Sequence, residues 1–277
     1  MIFADRTRLR ADLSRSVRAL PTMVRVGFAG AIAYRAEMVV WILAYTMPLI
    51  MLALWVAVAK EAPVGRFDEQ GFQAYFLATL ITRLLTGAWV VWELNQEIRQ
   101  GLLSMRLLRP VNPLLSYFGD NLGALPMRLA IVLPIFVGTL LWLGPGILTD
   151  DPVQLLLVPL TYAGAFAMTF TLMAAIGSLA FYWEQSISVF DLYLGLYFVF
   201  SGYIMPLELF PGWLRELAAW LPFRYMLSYP VENLLGLVDR GAALRALAVQ
   251  WGYVALFTVG LAAIWRGGVK RYGAFGG

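Results

Sequence analysis

The chain has 277 residues, 61% of them hydrophobic and only 14% charged, with a mean hydropathy of +0.72. One soluble core cannot hide that much apolar surface at this length, so the composition is that of a multi-span membrane protein. Cys and His are both absent, which excludes disulfides, thiolate chemistry and the commonest general base and metal ligand.

The pI near 9.4 comes from arginines scattered through the stretches that flank apolar runs. Membrane topology explains that distribution, and no nucleic-acid partner is expected. The first apolar run begins near Ala36, and no small-residue cleavage site follows it, so it is expected to be retained as a span.

Residues 1–35 form a first, cytoplasmic unit. Leu13, Val17, Leu20, Val24 and Phe28 recur at helical spacing, with Arg15, Arg18 and Arg25 on another face. This pattern predicts an interfacial helix on the inner leaflet, bent or broken at Pro21, with a solvated basic arm as the other reading.

Residues 36–277 read as an all-α membrane domain of six spans, at about 36–58, 72–92, 123–143, 157–181, 187–204 and 247–265. With the N-terminus inside, the cytoplasmic flanks carry thirteen Arg or Lys and the outer flanks six. That imbalance places both termini in the cytoplasm. Glu37, at the inner end of the first span, suits a side chain snorkelling to the interface.

Between the second and third spans, residues 93–113 carry alternating charge and end in Arg109-Pro110 and Asn112-Pro113. Ile98, Leu102, Met105 and Leu108 recur at helical spacing. A helix over 98–108 is roughly 16 Å long, far short of the ~30 Å hydrocarbon core, so it lies outside the bilayer on the cytoplasmic side.

The stretch before the last span, about 205–246, is too apolar for an ordinary loop and is punctuated by Pro206, Pro211 and Pro222. Trp213, Trp220 and Tyr225 suit the headgroup level, so two short helices dipping into the outer leaflet are expected.

Soluble chemistry finds no home here. There is no G-x-x-x-x-G-K-[S/T], no H-E-x-x-H and no G-x-S-x-G, and Lys60 and Lys270 are the only lysines. Asp150-Asp151 reads as a solvated turn. The chain is therefore not expected to be an enzyme or to bind a metal or cofactor.

Arg83 and Asp191 are charges inside spans, which are costly in lipid. They read either as a structural ion pair or as the polar lining of a substrate path. Gly87, Gly123, Gly138, Gly164, Gly177 and Gly195 lie in or beside spans, where small residues permit close packing; no G-x-x-x-G among them names a dimer face.

Two residue series carry a resemblance. One is Glu97, Ile98, Gly101 and Leu103 followed by Leu107-Leu108-Arg109-Pro110; the other is Ser201-Gly202, Pro206, Pro211, Pro222-Phe223, Pro230 and Gly236. With these motifs the chain resembles, over essentially its whole length, a permease of the ABC-2 type transporter family.

The resemblance implies that residues 93–113 are a coupling helix seated in a groove of a separate ATP-binding subunit. Glu97, Ile98, Gly101, Leu102, Met105 and Leu108 are then the contact region, and the N-terminal helix is a second contact. Pro206, Pro211, Pro222 and Phe223 belong to an outer cap over the path. ATP and Mg would reside on the partner subunit, and a second permease chain, the same or different, completes the transporter.

An exporter of drug-like or amphiphilic molecules across the bacterial inner membrane is the function implied. Lipid or polysaccharide export and an ion-gradient-driven secondary transporter are the alternatives. A non-transporting membrane scaffold leaves the docking-sized helix unexplained.

Overall fold

A computed structural model describes residues 5–33 and 46–275. Glu37 and the first half of the expected first span lie outside the described residues. Among the described residues the chain is all-helical, with one isolated bridge between Val64 and Phe67.

In chain order the α-helices are α1 (Asp5–Ala33), α2 (Met47–Ala59), α3 (Glu69–Thr86), α4 (Val90–Arg99), α5 (Leu103–Leu107), α6 (Pro113–Gly123) and α7 (Leu125–Leu143). They continue with α8 (Pro152–Ser178), α9 (Ile187–Phe200), α10 (Gly212–Trp220), α11 (Pro222–Met226), α12 (Ser228–Leu234) and α13 (Arg240–Phe275).

Four stretches are long and apolar enough to cross a membrane: Glu69–Arg99, Pro113–Leu143, Pro152–Phe181 and Arg240–Tyr272. They correspond to the second, third, fourth and sixth expected spans. Of the first expected span, 36–58, the described part is α2, with 13 residues. The helix in the place of the fifth, α9, has 14 residues and at 1.5 Å per residue rises only about 20 Å. The fifth stops at Phe200 because Gly202 adopts φ +84, a left-handed turn that redirects the chain.

Local chemistry sets the helix starts. The Asp68 carboxylate accepts from Gly71 N at 2.7 Å to open α3, and Asn112 accepts from Leu114 N at 2.9 Å to open α6. Asp151 accepts from Val153 N at 2.9 Å to open α8. Asn112 and Asp151 are each followed by a proline, which loses no helical donor at the first position.

The helices α3, α4 and α8 lie at the centre. α8 packs against α4, α12 and α13, and α3 against α2 and α7. The largest core cluster joins Leu94, Ile98, Met168, Tyr197, Tyr229 and Trp265. A second, aromatic one stacks Phe67, Phe72 and Phe76 around Tyr75. By contrast, α7 and α13 turn apolar side chains such as Leu133, Leu141, Leu256 and Val259 outward, as a lipid-facing or partner-facing wall does.

The connections separate to two ends. At one, Arg99 donates to Glu184 O at 2.7 Å, beside the 99–113 segment. At the other, Arg66 pairs with Glu208 at 2.7 Å, Gln70 donates to Leu143 O at 2.8 Å, and Arg240 pairs with Asp151 at 2.6 Å. Segments 60–68, 144–151 and 205–239 thus gather opposite segments 99–113 and 182–186.

Of the two forms expected of the N-terminal helix at Pro21, bent or broken, the break does not occur: α1 runs continuously through it. Pro21 forfeits one hydrogen bond, and the contact of α1 with α6 holds the flanking turns in place. The sequence reading assigns no G-x-x-x-G face, yet Gly119 and Gly123 form one within the chain. A Cβ on Gly123 would lie 2.5 Å from Phe28 N, and one on Gly27 would lie 2.7 Å from Asp120 Cα. Only glycine permits so close a backbone crossing.

Candidate functional site

The 93–113 segment is a helix–turn–helix rather than one helix over 98–108. After α4 ends at Arg99, Gly101 takes φ +78 and reverses the chain into the five-residue α5. The turn redistributes the expected stripe. Ile98 is buried in the core at 6% exposure, together with Leu103 at 0%. Leu102, Met105 and Leu108 point outward at 51%, 64% and 81% exposure. The apolar outer surface is therefore carried by the last three alone.

A charged clamp fixes this tip. The Arg106 guanidinium donates to both carboxylate oxygens of Glu97 at 2.8–3.0 Å and to Glu93 at 2.7 Å. It also reaches Ser116 Oγ at 3.3 Å and lies 3.7 Å from the Asp120 carboxylate. Tyr117 donates its hydroxyl to Glu97, and the Tyr117 ring lies 4.3 Å from the guanidinium carbon. Burial, the largest single influence, would lower the Arg106 pKa; the Glu97 hydrogen bonds together with the charges of Glu93 and Glu97 and the Tyr117 hydroxyl raise it on balance, so Arg106 stays charged.

Glu97 is thereby engaged inside the chain, by Arg106 and Tyr117. The clamp ties α4, the turn and α6 into one unit. Arg106, Glu93, Tyr117 and Asp120 were not among the site residues expected from the sequence. The available signal was their polarity within a strongly apolar chain, but only the reversal at Gly101 brings Arg106 back onto Glu97.

A second site lies beside the break in the Glu69–Arg99 stretch. α3 ends because Gly87 is extended, at ψ 139, and the helix resumes only at Val90. Arg128 from α7 donates to the freed Gly87 carbonyl at 2.5 Å. Such irregular backbone at depth needs protein or a cavity around it. Here it borders a cavity of ≈ 240 Å³ whose walls include Arg83, Trp89, Asp191, Tyr193 and Tyr197.

Arg83 and Asp191 both border this cavity. The Arg83 guanidinium carbon lies 4.9 Å from the Tyr197 ring and 5.4 Å from the Tyr203 ring, a cation–π arrangement that suits a charge held away from water.

The Pro-rich region is a stack of short helices. Pro206 and Pro211 flank a 3₁₀ turn at Leu207–Leu209, and Pro222 opens α11. Its depth varies. α10 exposes Trp213 and Trp220, whereas Phe223 is buried against Tyr193, with ring centroids 6.0 Å apart. Residues 225–234 sit almost wholly in the interior, where Glu232 binds Arg224 at 2.8 Å and Ser228 at 2.7 Å.

Gln250, deep in α13, donates to Tyr225 O at 2.8 Å and to Thr161 O at 3.0 Å, fastening this region to two spans. Sequence reasoning passed over Gln250, the single amide in the last apolar run.

A search of curated proteins gives no match. A family model described as an ABC-2 family transporter protein matches residues 42–276, which takes in every element from α2 to α13 and leaves α1 outside. The chain therefore belongs to the ABC-2 family of transporter membrane subunits, which work with an ATP-binding cassette partner.

Proposed function

We propose that the chain is the permease subunit of an exporter that moves a drug-like or amphiphilic molecule outward across the bacterial inner membrane. A separate subunit binds and hydrolyses ATP, and a second permease chain, identical or different, completes the path. The tip of the 93–113 hairpin docks on the ATP-binding subunit through Gly101, Leu102, Met105 and Leu108. Glu97 and Ile98 act from behind that surface, and α1 is a second contact. Arg83 and Asp191 line the path, and the region from Pro206 to Phe223 caps it.

The supporting observation is a single one: three large apolar side chains held outward on a turn made rigid by Arg106. Exposed Leu and Met on a charge-clamped tip are costly in water unless a partner covers them. Leu102→Glu or Met105→Glu is expected to weaken binding of the ATP-binding subunit by at least about tenfold, because a carboxylate buried in an apolar groove finds no partner. Stimulated ATP hydrolysis should fall in parallel while membrane insertion is unchanged. Wild-type assembly and coupled hydrolysis in both variants would remove the docking role.

A further inference from the structure

The end of the molecule opposite the clamp holds, beneath the Pro-rich region, a cavity of ≈ 400 Å³ to which the export reading assigns no ligand. Its walls include Arg66, Arg215 and Arg224 against Glu208 and Glu232. The pairing is uneven. Arg66 is bound to Glu208 at 2.7 Å and also donates to Leu237 O at 2.8 Å. Arg224 is bound to Glu232 at 2.8 Å, and Ser228 satisfies the other Glu232 oxygen at 2.7 Å. Among the described residues none makes an ion pair or hydrogen bond with the Arg215 side chain. Both carboxylates are thus neutralised and the cavity keeps one positive charge, with five guanidinium donors directed by α10.

The same helix shows where that charge sits relative to lipid. α10 turns Trp213, Leu217 and Trp220 outward, at 70%, 44% and 81% exposure, while Ala218 is fully buried and Ala219 borders the cavity. Two tryptophans flanking a leucine on an outward face mark the headgroup level, where an indole sits half in hydrocarbon. The arginine-bearing side of the helix therefore opens at the depth of the lipid phosphates. A volume near the lower end of ligand pockets, about 300–1,000 Å³, takes a headgroup but not acyl chains. The chains would remain outside, along the Trp213–Leu217–Trp220 face.

We propose that this cavity binds the anionic phosphodiester headgroup of a membrane lipid in the leaflet at that end, with Arg215 as its principal contact. Such a lipid would anchor α10, and with it the cap region, to the bilayer surface. The inference rests on the membrane reading of the chain but not on the docking role of the hairpin, so its failure leaves the Leu102→Glu test untouched.

Native mass spectrometry of the full chain in detergent tests it, with dioleoylphosphatidylglycerol, dioleoylphosphatidylcholine and inorganic phosphate as probes. The wild-type chain is expected to retain the anionic lipid in preference to the zwitterionic one. Arg215→Gln should lower that retention about tenfold, the loss of one charge-assisted contact. Arg215→Lys should keep most of it, and Lys60→Gln, an equal charge change at an exposed site on the same end, should keep all of it. Equal retention by Arg215→Gln, or no preference for the anionic lipid, overturns the proposal. Displacement of the lipid by millimolar inorganic phosphate overturns the lipid assignment and points to a soluble phosphate ester.

Discussion

At the residue scale, Arg106 decides the shape of the charged end. One guanidinium holds Glu93 and Glu97 directly and lies near Asp120, so its removal leaves the partly buried Glu97 and Asp120, and the more exposed Glu93, without their counter-charge. Arg106→Ala is expected to lower stability by about 1.5–3 kcal/mol, the range of hydrogen bonds to charged groups. Thermal unfolding in detergent would show it as a lower midpoint. Arg106→Lys should recover only part, since an ammonium cannot make the two-pronged bond to Glu97. A full recovery by lysine would mean that charge alone, and not the planar fork, holds the tip. Arg83 is held differently, over the faces of Tyr197 and Tyr203, an arrangement that helps carry a cation at depth.

At the element scale, two glycine devices do the shaping. Gly101, with its left-handed backbone, turns one expected helix into a hairpin and so sends Ile98 inward and Leu102 outward. Gly27, Gly119 and Gly123 allow α1 to lie directly on the α6 backbone. Gly123→Leu places side-chain atoms where the Phe28 amide now sits, and no side-chain rearrangement clears a backbone obstacle. The α1–α6 contact is then expected to open. Limited trypsin digestion would report this as cleavage after Arg18 and Arg25, both exposed, at least several-fold faster than in the wild-type chain. Digestion at the wild-type rate would mean that the glycine crossing is not what holds α1 in place.

At the scale of the whole molecule, the short connections sort to two ends separated by the length of the central helices. The proposed orientation puts the clamp in the cytoplasm and the Pro-rich stack outside. The absence of cysteine makes this directly measurable, since any single introduced thiol is the only one present. In intact spheroplasts a membrane-impermeant thiol reagent is expected to label Trp220→Cys readily. Met105→Cys should react only after the membrane is permeabilised. The reverse pattern would invert the topology and with it the docking assignment.

The sequence by itself determined the solvent and the chemistry of this protein. Its hydropathy demanded a bilayer, its lack of His and Cys excluded disulfides and thiolate or imidazole chemistry, and its apolar runs marked the long helices. Those properties are additive along the chain and need no knowledge of what lies beside each residue. Tertiary structure decided the rest. Whether Ile98 faces inward, whether Glu97 meets Arg106, where α9 stops, and which arginine at the cap is left with spare charge all depend on where the backbone turns. The turns that reverse the hairpin and end α9 rest on Gly101 and Gly202, whose positive φ composition and periodicity do not report. Pairing energies between residues distant in sequence exist only once those turns are made, so the clamp, the cavity beside Gly87 and the arginine pocket were visible in the fold alone.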